Sequence, residues 1–392
     1  MITLFAAHDP IVISCGRALR RLCEDARLEA DQGKRLTHEV SDSLADTRDE
    51  LSRLAEESQN IFATHEWLET WWKHFGSGRM RIRACRDPEG RLVTLLPLYR
   101  TRRGPLRVLR FLGHGPGDQL GPVCAPSDRA VAASALQEAL GSERFDLFLG
   151  EELPGDADWG LPGPTYRSIG SPIVELGGAT WEEFLSGRSR NVRKAAGQLR
   201  EEKLRRDFGA RFRPEDPSRF EADFETLLAL HDLRWGRGAT LFGGPERAFQ
   251  QEFARLAHDR GWLRLWFLEL DGRPAAAWYG FRFGDSYAVY QGGRDQTFKR
   301  FSMGTALDLH AIRTACEEGV GEYRFLRGGE PYKYRFATDD PGLVSIAVAR
   351  GVLGRSLLSL RLRVRGNTGN GFRAAAAPVT PSGDAEDHPS SA

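Results

Sequence analysis

Two parts of the chain repeat one order of apolar and polar segments. In the first part, extended segments at 80–86 and 92–99 flank a polar turn, and this arrangement predicts a hairpin. A helical pattern at 129–141 and a short apolar strand at 145–149 follow. The second part predicts strands at 263–270, 274–283, 286–291 and 323–326 and a helix at about 303–318.

The turn in the second hairpin is Asp271-Gly272, a pair that strongly favours a two-residue turn between strands. The distance from this turn to the late strand is similar to the corresponding distance in the first part. The sequence therefore predicts a mixed α/β fold of two domains with similar topology. The Pro- and Gly-rich stretch 153–172 is the predicted junction.

Three further segments lie outside this repeat. Residues 1–55 are charged and helix-prone, so we predict a helical N-terminal extension. Residues 351–373 carry arginines and interleaved leucines without an acidic residue, which predicts a basic amphipathic helix. That helix either docks on the body or contacts a membrane surface or nucleic acid. Gly, Ala, Pro and Ser dominate 374–392 and predict a disordered tail.

Composition excludes several classes of protein. The 55 Lys and Arg residues balance 54 Asp and Glu residues, so the net charge of +1 does not favour a partner that requires a uniformly charged surface. The five cysteines form no C-x-x-C pair, and the nine histidines form no H-E-x-x-H motif, so we expect neither a disulfide framework nor a metal site. No apolar run has the roughly 20 residues of a membrane span, and we expect a cytoplasmic protein.

A candidate anion site begins where the predicted strand at 286–291 ends. A polar loop leads into Phe301-Ser302-Met303-Gly304-Thr305-Ala306, which opens a helix. Small residues at a helix start let backbone amides approach a ligand, and the helix dipole favours anionic oxygens there. The segment matches neither a Walker motif nor G-x-G-x-x-G. The alternative is that Gly304 only allows close packing of the helix on a strand.

The ordered motifs resemble one family. The strings WLRLWFLELDGRPAAAWYGFRFGDSYAVYQGG, FSMGTALDLHAI and YRFLRGGEPYKYRF are similar to the C-terminal half of the CelD-like acetyltransferases, GNAT-superfamily enzymes related to FemAB proteins. SRNVRKAAGQLREE, HDLRWGRG, FATHEWLETWW and FLGHGPGDQLGPV extend the resemblance over about 60–350. It implies tandem GNAT-like domains, each with a mixed, mostly antiparallel sheet flanked by helices. The half at 56–160 is expected to be degenerate and the half at 161–350 catalytic.

The resemblance also implies the donor site. A backbone amide at Gln291 or Gly292 would polarise the carbonyl of the donor thioester. The remaining contacts to acetyl-CoA or acyl-CoA would come from the helix start and the residue preceding it. These residues are Arg300, Ser302, Met303, Gly304, Thr305 and Ala306. Gly304 and Ala306 align with the family motif, whereas Phe301 replaces its usual first Gln or Arg.

Acyl transfer to an amine needs a base for the nucleophile and an acid for the leaving thiolate. Lys333 and Tyr332 follow the late strand, where the family carries a recurring Tyr/Lys pair, and they are the leading candidates. Lys333 would orient an anionic group and Tyr332 would protonate the thiolate. The candidate bases are Glu330, His231 and Asp118, the last in a Gly/Pro-rich loop. Each of these five residues could instead be structural.

Three functions stay open. The first is an N-acyltransferase that moves an acyl group from acyl-CoA to a small-molecule or peptide amine. It is expected to need no metal and to have no DNA partner. The second is FemAB-like transfer from aminoacyl-tRNA, for which the basic segment 189–206, including Arg193 and Lys194, is the candidate RNA contact. The same segment could instead be a solvated helix face, or contact an anionic acceptor or a CoA phosphate. The third is a non-catalytic GNAT-fold protein that assists polysaccharide or cell-envelope biosynthesis.

Overall fold

The computed structural model of the chain describes residues 36–199, 201–236 and 242–366. Within these ranges the chain forms two separate sheets with helices packed around them, which confirms the predicted mixed α/β class. The predicted tail at 374–392 and most of the predicted N-terminal extension lie outside the described residues. None of the helices in the described ranges is both long enough and apolar enough to cross a bilayer.

The first sheet is built from eight described strands and is mostly antiparallel. They are β1 (Thr37–Ser41), β2 (Arg79–Arg86), β3 (Leu92–Arg103), β4 (Leu106–Phe111), β5 (Val123–Cys124), β6 (Leu147–Pro154), β7 (Thr165–Ile169) and β14 (Leu343–Ala349). Their order is β1-β2-β3-β4-β6-β14-β7, with β5 beside β3. The helices of this half are α1 (Arg48–Glu57), α2 (His65–Phe75) and α3 (Arg129–Ser142).

The second sheet has six described strands in the order β8-β13-β12-β11-β10-β9. They are β8 (Ile173–Glu175), β9 (Ala210–Pro214), β10 (Leu263–Leu270), β11 (Arg273–Phe283), β12 (Ser286–Arg294) and β13 (Glu322–Arg324). The associated helices are α4 (Trp181–Ser186), α5 (Arg190–Gln198), α6 (Glu201–Phe208), α7 (Phe220–Trp235), α8 (Pro245–Asp259) and α9 (Met303–Glu317); a final helix, α10 (Gly351–Gly366), follows β14.

Both halves contain the repeated unit that the sequence predicts. In each, a hairpin leads to a strand that pairs in parallel, across one helix, with a later strand: β4 with β6, and β12 with β13. The hairpin turn between β10 and β11 has positive φ at Asp271 (47°) and Gly272 (75°), as a two-residue turn of this kind requires. The hairpin prediction is therefore confirmed at the level of backbone geometry.

Sheet membership crosses the predicted division at residue 160. Strand β14 pairs with β6 on one side and with β7 on the other, so two strands from the predicted range 161–350 belong to the first sheet. Residues 37–41 also form a strand rather than a helix. Strand patterns predict an extended conformation but carry no information about the pairing partner, which long-range burial decides.

The two halves share a continuous apolar core. Trp67 on α2 makes edge contacts with Phe249 and Phe253 on α8, at ring-centroid distances of 5.0 and 4.6 Å. Tyr290 on β12 belongs to the same cluster, and its hydroxyl donates to the Pro116 carbonyl of the first half (2.8 Å). Because buried aromatic surface crosses the junction, the two halves are expected to unfold together.

Two glycines near the end of the second sheet differ in the space around them. A Cβ on Gly293 would lie 2.4 Å from the backbone of Leu230 and His231, so this glycine lets α7 pack on β12. A Cβ on Gly304 would meet only Arg294 Nη1, at 3.8 Å. The packing alternative for Gly304 therefore has no support in the described structure.

This contrast gives a stability prediction. Gly293→Ala should lower the free energy of unfolding by about 2 kcal/mol or more, because the backbone of α7 would have to move. Gly304→Ala should leave it unchanged or raise it by up to ~1 kcal/mol, because alanine favours the helix. Urea denaturation of both variants measures the difference, and equal destabilisation would contradict it.

Candidate active site beside the second sheet

An opening forms where β12 and β13 separate. The two strands pair only between Ser286–Ala288 and Glu322–Arg324, whereas β12 continues to Arg294. Tyr290 is an extra residue in the register with β11, a bulge that changes the strand direction. Its hydroxyl is buried and accepts a hydrogen bond from Gln250 (2.8 Å), which fixes the bulge against the core. Gln291 and Gly292 follow it and are half-buried.

Helix α9 begins close to the end of β12. Ser302 precedes its first turn with a left-handed backbone (φ 50°), and the Ser302 side chain does not cap the helix. The first backbone N–H groups of an α-helix have no partner inside the helix. Met303 and Ala306 are buried in a second apolar cluster, which packs α9 against the second sheet. Thr305 is half-buried, and Gly304 faces open space. For Arg300, only its backbone position in the short helix Gln296–Phe301 is described.

Two arginines that sequence analysis did not select stand beside this helix start. Arg294 is half-buried at the end of β12, and its Nε is fully buried with no hydrogen-bond partner in the described ranges. Arg234 on α7 donates from Nη1 to the Gly292 carbonyl (3.4 Å) and stacks on Trp235. Neither guanidinium has an ion-pair partner within the part of the chain that the structure describes. Burial and the neighbouring Arg294 lower the pKa of Arg234.

Two guanidinium groups side by side, neither with an ion-pair contact in the described ranges, repel each other, and an anion that joins them removes this repulsion. Their position next to the start of α9 adds the positive end of a helix dipole. The arrangement can therefore bind a phosphate-like or carboxylate oxygen. A weak sequence signal existed in Arg294, which directly follows the glycine pair at 292–293, but the contribution of α7 has no local signal.

The predicted Tyr/Lys pair lies together after β13, although its members differ in role. The Lys333 ammonium is buried and donates to the carbonyls of Arg327 (2.8 Å), Gly328 (3.2 Å) and Leu326 (3.4 Å). It also forms an ion pair with the exposed Glu330 (2.9 Å). These bonds hold the loop after β13, where Leu326 has a left-handed backbone (φ 55°). In this geometry Lys333 stabilises the loop.

Tyr332 is half-buried and packs edge-on against Phe325, with ring centroids 6.2 Å apart. Burial raises its pKa, as do nearby Asp308 and Glu330, while Arg234 and Arg294 act in the opposite direction. These charges influence one phenol, so the structure places Tyr332, the two arginines and the two carboxylates in one neighbourhood. A phenol that stays protonated at neutral pH can donate a proton.

Asp308 is the second group that sequence analysis missed. It lies one turn after Gly304 on α9 and is buried. Burial raises its pKa to about 7, and the nearby charges of Arg234 and Lys333 partly oppose the shift. A carboxyl between two leucines, Leu307 and Leu309, on a predicted helix was the available sequence signal. A buried carboxyl with a pKa shifted in this way beside Tyr332 is a candidate functional group.

Asp118 links the two halves by binding Arg327. It accepts from the Arg327 backbone N–H (2.6 Å) and pairs with the Arg327 side chain (2.7 Å). Arg327 Nη1 also contacts both carboxylate oxygens of Glu152 (2.6 and 2.7 Å), and Arg167 contacts Glu152 at 3.1 Å. Burial raises the pKa of Asp118. Because both of its oxygens face Arg327, this carboxylate is occupied by a structural contact.

His231 on α7 is buried against the apolar core that the two halves share. Its ring packs edge-on against Phe242 with centroids 4.7 Å apart, and its Nδ1 has no partner in the described ranges. Burial lowers its pKa to about 4, so the ring is neutral at pH 7. The structure thus brings Tyr332, Lys333 and Glu330 together, while Asp118 is committed to the junction and His231 to the core.

Comparison with known proteins gives a family match for part of the chain. Residues 186–334 match the family described as Acetyltransferase (GNAT) domain, so the chain carries a GNAT domain that includes α9 and the end of β12. This match confirms the recognition made from the sequence at the level of the superfamily. No curated protein matches the chain significantly.

Solved structures are similar to this chain at low identity, and the first two share its fold. FemX has a TM-score of 0.58 at 12% identity, over 81% of this chain and 98% of that chain. A conserved protein of unknown function from Bacteroides thetaiotaomicron has a TM-score of 0.51 at 12% identity, over 80% and 100%. A tandem GNAT protein from the clavulanic acid biosynthesis pathway has a TM-score of 0.43 at 12% identity, over 81% and 99%.

The ion cluster at the junction predicts a pH dependence. Burial and nearby Asp118 raise the pKa of Glu152 to about 7 from its ordinary 4.5. The folded chain therefore holds this proton more tightly than the unfolded chain. The contribution of Glu152 to the free energy of unfolding should be full below pH 4.5 and disappear as the pH rises through about 7.

Urea denaturation from pH 4.5 to 8 measures how the free energy of unfolding changes with pH, and this change is the slope used below. Glu152→Gln should flatten it, although a remaining slope from Asp308 is expected because its pKa is also raised. Glu151→Gln, at the adjacent position on β6, is the matched control and should keep the slope. A slope that Glu152→Gln leaves intact would contradict the prediction.

Proposed function

We propose that the chain is an N-acyltransferase that moves an acyl group from acyl-CoA to the amine of a small molecule or peptide. The observation that carries the proposal is the pair of unneutralised guanidinium groups, Arg234 and Arg294, beside the start of α9. The GNAT domain match spans these elements. The pyrophosphate of acyl-CoA would supply oxygens that pair with both guanidinium groups.

The donor would bind along the opening between β12 and β13. Its pyrophosphate would contact the N–H groups at Met303–Thr305, with Gly304 leaving the space for it. Its thioester would lie near the bulge at Tyr290, where a backbone N–H of Gln291 or Gly292 polarises the carbonyl. Phe301 does not remove this site, because the two arginines provide positive charge from other elements.

In the proposed reaction the amine nitrogen attacks the thioester carbonyl carbon, and the carbon–sulfur bond breaks. Glu330, exposed at the edge of the cluster, accepts the proton that the amine loses. Tyr332 protonates the departing thiolate, and Asp308 and the arginines tune the Tyr332 phenol. Lys333, Asp118 and His231 are assigned to positioning, since each is held by structural contacts. No metal takes part.

Calorimetric titration with acetyl-CoA tests the donor site. Gly304→Glu should weaken binding about tenfold or more, because its carboxylate enters the anion site and adds like charge. Gly141→Glu is a matched control, since Gly141 also lies on a helix with open space around it, in the first half. This control should bind as the unmodified protein does. Equal binding by both variants would overturn the site assignment.

A screen of amine acceptors with acetyl-CoA tests the proton donor. Tyr332→Phe should lower kcat about a hundredfold with unchanged thermal stability, because the thiolate loses its acid. Tyr334→Phe is the control, since Tyr334 is exposed and its hydroxyl donates to Asp340 (2.6 Å). Equal turnover in both variants would remove Tyr332 from the mechanism.

An aminoacyl-tRNA donor is the second candidate, and one observation favours it. Helix α5 packs through Val192 and Ala196, while Arg190, Arg193 and Lys194 are exposed on it. A folded protein that does not bind acetyl-CoA, but binds tRNA with steep salt dependence, would support this candidate. Charge reversal at Arg193 and Lys194 should then weaken RNA binding.

A further inference from the structure

Helix α10 presents large apolar side chains to solvent. Val352, Leu353, Leu357 and Leu360 are exposed over 82, 61, 43 and 59% of their surfaces. Positions 353, 357 and 360 follow the spacing i, i+4, i+7, so they lie along one face of the helix. Four exposed apolar side chains on one short helix are more than scattered surface residues and indicate an interaction surface.

The beginning of α10 is attached firmly to the first half. The Arg350 backbone donates to the Asp146 carbonyl (2.8 Å), and its guanidinium donates to the carbonyls of Leu140 (2.6 Å) and Glu143 (3.2 Å). Gly354 packs so closely that a Cβ would lie 2.2 Å from the Asp146 carbonyl oxygen. One side of α10 is therefore used for docking, and its exposed apolar face is left uncovered within the described ranges.

The sequence on either side of this face is strongly positive. Residues 341–383 contain six arginines and neither an acidic residue nor a lysine. On the neighbouring hairpin between β3 and β4, Arg102 and Arg103 are exposed. Asp146, the acidic residue at the docking point, is neutralised by Arg107 at 2.7 Å. An apolar face on an arginine-rich segment without acidic residues is complementary to a surface with apolar chains under anionic head groups.

We propose that α10, together with the tip of the β3–β4 hairpin, binds to an anionic lipid surface. The leucines enter the boundary between head groups and acyl chains, and Arg102 and Arg103 contact lipid phosphates. The 16-residue helix lies in the plane of the interface. This attachment is separate from the proposed donor site and does not depend on the reaction.

Two other occupants fit the same surface less well. Nucleic acid would satisfy the arginines, but its phosphate backbone offers nothing for the exposed leucines. A second copy of the chain would cover the leucines, but a symmetric contact would bring two arginine-rich helices together without an acidic residue between them. A lipid surface satisfies both the apolar face and the charge.

Flotation of the full chain with vesicles tests the proposal. The protein should float with vesicles that contain about one third phosphatidylglycerol and stay behind with pure phosphatidylcholine. Substitution of Leu353, Leu357 and Leu360 by Ser should lower the bound fraction about tenfold or more. Val40→Ser, an exposed apolar position on β1, is the control and should not change binding.

A second variant keeps the test independent of the leucines. The combination Arg102→Gln and Arg103→Gln should reduce binding to the anionic vesicles and weaken its salt dependence. Absence of flotation by the folded protein, or flotation unchanged in the leucine variant, would overturn the proposal. The proposal would also fail if the protein bound no vesicles and bound RNA equally well with and without the leucine substitutions. Concentration-dependent dimerisation lost in the leucine variant, without vesicle binding, would assign the face to a second copy.

Discussion

The buried contacts of Arg327 with Asp118 and Glu152 set the geometry on which the site depends. Arg327 belongs to the loop after β13, and both carboxylates belong to the first half. Removing one member of such a group leaves a buried charge without compensation, which typically costs about 3–5 kcal/mol. The contact therefore fixes where the chain goes after β13, and this path keeps β13 from following β12 beyond Ala288.

The same loop connects the junction to the proposed chemistry. The Lys333 ammonium donates hydrogen bonds to the carbonyls of Leu326, Arg327 and Gly328, and Tyr332 precedes it in the chain. Left-handed backbones at Glu152 (φ 54°) and Leu326 (φ 55°) are unfavourable by themselves and persist where surrounding contacts hold them. The two members of the predicted Tyr/Lys pair therefore differ in position. Lys333 supports the loop, and Tyr332 lies near the charged groups of the proposed site.

Prediction from sequence succeeded for local features, including which residues lie next to one another. The hairpin at Asp271-Gly272, the start of α9 at Met303 and the proximity of Tyr332 to Glu330 and Lys333 follow from turn chemistry, periodicity and sequence adjacency. Arg234, Arg294 and Asp308 were missed because they lie on α7, β12 and α9, and their shared neighbourhood depends on how three elements pack. Gly304 was ambiguous until the space around it was measured.

The sequence by itself determined the two repeated units, the GNAT resemblance and the basic, leucine-bearing character of α10. Those properties rest on short-range patterns, since backbone preference and side-chain period act within a few residues. Only the tertiary structure decided that β7 and β14 complete the first sheet, that Asp118 joins the halves, and that the leucines of α10 remain uncovered. The physical reason is that strand partners, ion pairs and exposed faces are chosen by burial between segments far apart in the chain.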